Sequence, residues 1–148
     1  MTRRTRFASW RWLGAIVATW VTVWACGGDK VTAPAPCDTF HGGFVAVGDS
    51  LPGTYDVRSI CQGTKPDLVP PAASGTITIT STNFTADLTI QSQHQTISGT
   101  YMVNGEAIDV NLGLAHLVGT FRLRNDTLAV SGTAGTQRLS LVGVRPTS

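Results

Sequence analysis

From Phe40 to Arg145, apolar residues recur at every second position in short runs broken by Gly, Pro, Asn and Asp. A period of two turns alternate side chains to opposite faces, so each run predicts a strand with one dry and one wet face. Thr76-Ile77-Thr78-Ile79-Thr80 alternates without a fault. Ser81-Thr82-Asn83 predicts a turn, and residues 84–91 the return strand, with Phe84, Ala86, Leu88 and Ile90 inward and Thr85, Asp87, Thr89 and Gln91 outward. Threonine suits the wet face because it is β-branched and can hydrogen-bond. Residues 96–103 predict the next strand, with Ile97, Tyr101 and Val103 inward, and Asn104-Gly105 predicts a hairpin turn with positive φ at both positions. The chain returns through 106–112 with Ile108, Val110 and Leu112 inward.

The same reasoning extends in both directions. Residues 116–124 set Leu117, Phe121 and Leu123 against Val118, Arg122 and Arg124; Asn125-Asp126 turns the chain into Leu128–Ser131, and 137–145 carries Leu139 and Leu141 on one face before Pro146. Upstream, 51–60 places Tyr55 and Val57 opposite Asp56 and Arg58, and 41–47 reads as a weak opening strand or ordered loop. Residues 62–73 contain Pro66, Pro70 and Pro71. Proline cannot donate to a ladder, so this stretch predicts a long loop. The expectation is an all-β domain over 38–148, a small antiparallel up-and-down barrel of about eight strands. Sequential hairpins favour a barrel over a sandwich, and closure removes exposed edges, which suits a monomer.

Residues 1–25 follow a different pattern. Arg3, Arg4, Arg6 and Arg11 precede an apolar run from Trp12 to Ala25, with no acidic residue before Asp29. Fourteen residues are too few to cross a bilayer, which takes about 20. A basic flank, a short apolar run and a small residue at its end predict a signal-peptide helix over 1–25. Residues 26–37, with Gly27-Gly28 and a Pro/Ala-rich continuation, predict a flexible tether.

Removing 1–25 changes the charge. The whole chain is +2, but four of its eleven Lys and Arg and none of its nine Asp and Glu lie in that segment. The remaining 123 residues are therefore net −2, which withdraws the electrostatic support for nucleic-acid binding. Their length suits a single domain.

Val23, Ala25 and Cys26 resemble the lipobox of bacterial lipoproteins, with Trp24 standing where that pattern has a small residue. The resemblance implies cleavage before Cys26, lipidation of Cys26, and anchorage to a membrane of the cell envelope, facing the periplasm or exterior. Two or more acyl chains hold a protein stably where one does so marginally. Thr2–Phe7 is also faintly similar to a twin-arginine export signal, with Phe7 one place late; general secretion is the leading expectation. With Cys26 assigned to lipid, Cys37 and Cys61 remain, and an oxidising compartment makes a disulfide the default. It would close a loop worth about 3 kcal/mol on the chain-entropy model. A redox pair or a metal pair is the alternative, without CxxC spacing or a neighbouring His cluster to support it.

Gly53-Thr54-Tyr55, Gly75-Thr76-Ile77, Ser98-Gly99-Thr100-Tyr101 and Gly119-Thr120-Phe121 resemble the layout of lipocalin-like lipoproteins of bacterial envelopes, with Gly-Thr-aromatic at strand starts. The resemblance implies a barrel that takes a small apolar ligand at its mouth or an envelope protein on its surface. Lysozyme-inhibitor lipoproteins are a small-barrel precedent for the latter, although their inhibitory loop pattern is absent. Tyr55, Phe84, Leu88, Tyr101 and Phe121 are the candidate lining of the interior, either as a pocket or as packed core.

Catalytic chemistry finds little support. His41, His94 and His116 are scattered; His94 is expected solvated in a turn, and His116 partly buried beside Val118. Asp87 and Asp109 are expected on wet positions, and no nucleophile elbow, HExxH or phosphate loop appears. The expectation is a non-enzymatic protein with no cofactor and no metal.

Overall fold

Turn residues divide the chain into ten strands in the computed structural model, which describes residues 33–147. They are β1 (Gly43–Phe44), β2 (Gly53–Gln62), β3 (Thr64–Leu68), β4 (Ala73–Ile79), β5 (Asn83–Ile90), β6 (Gln93–Asn104), β7 (Ala107–Asn111), β8 (His116–Arg124), β9 (Thr127–Ala134) and β10 (Gln137–Val144). No helix occurs among the described residues. The segment expected to be a signal peptide and Cys26 lie outside the described residues.

Strand β2 pairs with β4, each strand from β4 to β10 pairs antiparallel with the next, and β10 returns to β2. Eight strands, β2 and β4–β10, therefore close a barrel, as the alternation predicts. Every connection from β4 to β10 is a short hairpin, so neighbours in sequence are neighbours in space. Strand β1 adds in parallel to the end of β8, pairing Gly43 with Arg122 and Phe44 with Leu123. Strand β3 folds back on β2.

Four local features depart from the sequence expectation. Residues 62–73 are not a loop throughout: they include β3 and the start of β4. Strand β3 tolerates Pro66 because it makes only two register pairs with β2, Ile60 with Leu68 and Gln62 with Thr64, and Pro66 sits between them. In β2 the alternation slips at Arg58, which is extra opposite the Val142–Gly143 step of β10. That bulge brings Ile60 inward after Val57 and turns Cys61 to the outer wall. The β5–β6 turn is Gln91-Ser92, both with positive φ (50° and 68°), which places His94 in a strand and not in a turn. The β6–β7 turn centres on Gly105-Glu106, with Asn104 paired to Ala107 and positive φ at Gly105 alone. A glycine at the first central position is the type II′ solution.

The Gly-Thr-aromatic repeat acquires a cause. Gly99 and Gly119 lie within β6 and β8 and not at their starts, facing inward beside Tyr101 and Phe121. A Cβ on Gly99 would come within 2.1 Å of the Asn111 carbonyl oxygen, and one on Gly119 within 1.9 Å of that of Ser131. Neighbouring strands approach too closely there for any side chain, which lets a small barrel coil tightly.

The segment before β2 wraps the outside. Its first described residues join the β2–β3 turn: Pro36 bridges Thr64, and Lys65 N–H donates to the Ala35 carbonyl at 2.8 Å. Cys37 is disulfide-bonded to Cys61 with Cα atoms 5.6 Å apart, as the cysteine count leads one to expect. The strap then covers β9 and β10, burying Ala129, Ser131 and Ser140 from outside, with Phe40 N–H donating to Ser131 Oγ at 2.7 Å. It ends in β1 and Leu51 at the far end of the barrel.

Candidate functional site

The interior divides along the barrel axis. At the end where β2 begins and β8 finishes, Leu51, Tyr55, Ile108, Phe121, Leu123 and Leu128 form one packed cluster. Tyr55, Phe121 and Leu123 have no exposed surface. Phe44 of β1 meets Phe121 edge-on with ring centres 5.1 Å apart, and Tyr55 Oη donates to the Leu51 carbonyl at 2.8 Å. Arg145 seals this end: its guanidinium lies 5.0 Å from the Tyr55 ring centre, donates to the Pro52 carbonyl at 3.2 Å and to that of Ser50, and reaches Asp126 at 3.3 Å. Burial pushes the Tyr55 hydroxyl above its ordinary pKa of 10.0, partly opposed by the Arg145 charge.

Toward the other end Val57, Ile60, Ala73, Ile77, Ala86 and Leu88 pack along one wall as a second cluster, and the middle of the interior is left open. A cavity of about 220 Å³ is bounded by inward side chains from β2 and β4–β10. Ile60, Ile77, Leu88, Ile97, Leu117 and Leu141 make its walls; Gln62 and Gln95, both exposed, stand at its mouth. Leu51 and Tyr101 are its floor, and both also border a shallow outer groove lined by Phe44, Pro52, Met102 and Val103. Tyr101 is fixed by donating from Oη to the Thr80 carbonyl at 2.6 Å. Its pKa is raised by burial, so it is a neutral phenol at ordinary pH. It is the sole ionisable side chain on the lining. The arrangement suits an apolar guest, smaller than the usual 300–1,000 Å³ ligand pocket would hold, with a neutral polar end near the two glutamines.

Of the five interior candidates, Phe84, Leu88 and Tyr101 line the cavity, whereas Tyr55 and Phe121 belong to the packed end. Sequence reasoning did not include Ile60, hidden by the β2 bulge, or the glutamines, which look like ordinary polar positions. The wall residues Ile77, Ile97 and Leu117 were readable from alternation.

The histidines do not converge. His94 Nε2 lies 3.2 Å from Asp87, His116 contacts Asp109, and His41 Nδ1 lies 3.8 Å from Glu106, all on exposed outer surface. His116 is therefore not partly buried: its ring turns out to Asp109 across the β7–β8 pair. Among the described residues no three His, Cys, Asp or Glu gather as metal ligands would. No protein family, curated protein or solved structure matches this chain.

Proposed function

We propose that this chain is a lipid-anchored protein of the bacterial cell envelope whose barrel is a non-enzymatic binding module for a small apolar ligand. The observation that carries the binding reading is the aliphatic cavity beside a fully packed half of the same barrel. A lining whose one ionisable group is a neutral phenol already donating to the Thr80 carbonyl, with no acid, imidazole or amine beside it, favours binding over catalysis. The anchor reading rests on the lipobox resemblance at Cys26, and the Cys37–Cys61 disulfide agrees with an exported, oxidising setting.

A second reading is an envelope protein that presents its outer wall to a protein partner. Met102 and Val118, both exposed, flank Asp109 across three neighbouring strands and favour it. Displacement of a fluorescent apolar probe separates the two. Ile97→Trp, which fills the cavity without touching the outer wall, should abolish probe uptake if the cavity is the site. Equal uptake by both proteins would remove the cavity reading. For the anchor, metabolic labelling with an alkyne fatty acid should mark the wild type and not Cys26→Ser.

A further inference from the structure

The two ends of the barrel differ outside as well as inside. The loops at the hollow end are Gly63, residues 69–72, Gln91-Ser92, residues 112–115 and Gly135-Thr136, and they contain no charged residue. Two of them are apolar at their tips. Val69-Pro70-Pro71-Ala72 is exposed throughout, and Leu114 stands 109% exposed in Leu112-Gly113-Leu114-Ala115. The first precedes β4 and the second joins β7 to β8, so they stand across the mouth from each other with β5 and β6 between. Two cations stand just behind these loops: Lys65 is engaged by Asp38 at 2.6 Å, and Arg138 donates to the Thr39 hydroxyl on the outer wall. The loops at the packed end carry Asp49, Glu106 and Asp126 instead.

The strap also enters the domain at the hollow end, where Ala35, Pro36 and Cys37 are fastened to β2 and β3. Cys26 is nine residues before Ala35. Nine residues reach at most ~30 Å. A ten-residue strand such as β2 spans a similar length. If Cys26 carries the proposed lipid, a tether of this length would keep the hollow end near the bilayer, and the packed end could meet it only with the tether stretched taut along the barrel wall.

We infer that the hollow mouth faces the bilayer, that the Val69–Ala72 and Leu114 loops rest in the lipid interface, and that the cavity takes one acyl chain of a lipid from that bilayer. The partner follows from chemistry. Apolar loop tips without basic residues suit a lipid surface through apolar burial and not through attraction to anionic headgroups. Gln62 and Gln95 at the mouth suit the uncharged ester region of a lipid, while the aliphatic walls suit its tail. The inference rests on the proposed anchor and on the proposed use of the cavity, and deepens both.

The test exploits the absence of tryptophan after Cys26: all four, at positions 10, 12, 20 and 24, lie before it. Leu114→Trp and Val47→Trp each place one reporter at a fully exposed position, the first at the hollow end and the second at the packed end. The processed, lipidated variants would be reconstituted in phosphatidylcholine vesicles containing brominated lipid. Leu114→Trp should be quenched several-fold more than Val47→Trp, with little change on adding salt, and native mass spectrometry of recovered protein should show one phospholipid or lysophospholipid adduct. Equal quenching, or stronger quenching of Val47→Trp, would overturn the orientation. Quenching as expected without an adduct would overturn the acyl-chain ligand alone. Protein that fails to float with the vesicles would instead refute the anchor.

Discussion

The two halves of this barrel are built from the same alternating strands, yet one is solid and the other hollow. At the packed end, Tyr55 and Phe121 meet residues that return from outside the barrel, Phe44 and Leu51, and Arg145 closes over them. At the hollow end the walls are mostly Ile and Leu, part of them packed side by side in a second cluster, and among the described residues no equivalent segment enters from the loops. An eight-stranded barrel stands near the width at which side chains just fill it. The difference lies in the cover: filling takes both large side chains and a plug, and the strap supplies a plug at one end only. It passes the hollow end outside the wall, held there by the disulfide.

Substitutions that exchange the properties of the two halves should break this contrast. The largest effect is expected from Phe121→Ala, which removes a fully buried ring contacting Phe44. Urea unfolding should show a loss of about 3–5 kcal/mol. Next, Cys37→Ser frees the strap at the hollow end, and its stability should fall by about 3 kcal/mol. Added reductant should lower the wild type to the same level and leave the variant unchanged. Ile97→Ala, by contrast, enlarges space that already exists, and half-exposed methylenes contribute less than buried ones, so a loss of about 1 kcal/mol is expected. Equal losses at Ile97 and Phe121 would show that the hollow half is as tightly packed as the other.

The smallest effect is a dependence on alkaline pH. Burial raises the Tyr55 and Tyr101 pKa values above 10.0, so the folded state holds these protons more firmly than the unfolded chain. Stability from this source is complete below pH 10 and declines as pH rises above it, because the unfolded chain then loses protons that the folded state retains. Tyr55→Phe should flatten part of that decline in denaturation series across the range. An unaltered slope would assign the decline elsewhere.

Most of the barrel was legible in the sequence because alternation survives in the inward positions of β4–β10. What escaped notice has separate physical causes. The β2 bulge displaces Ile60 by one position, a slip invisible until Val142 and Gly143 are placed opposite it. Gln91-Ser92 carries positive φ without Gly or Asn, so no turn chemistry announces it. Pro66 argued against β3, which holds only because it needs so few ladder bonds. For the candidate site, the inward face could be read but the volume could not. Phe84 and Phe121 sit in the same local pattern, and only the return of Phe44 and Leu51, distant in sequence from β8, makes one a wall and the other a core residue.

The central claim is that the hollow half holds one apolar guest. Native mass spectrometry of the purified full chain against Ile97→Trp tests it most directly. The account predicts one bound apolar molecule per wild-type barrel, either co-purifying or acquired from added fatty acid, and none on the variant. A wild-type barrel that stays at its bare mass under both conditions would contradict it.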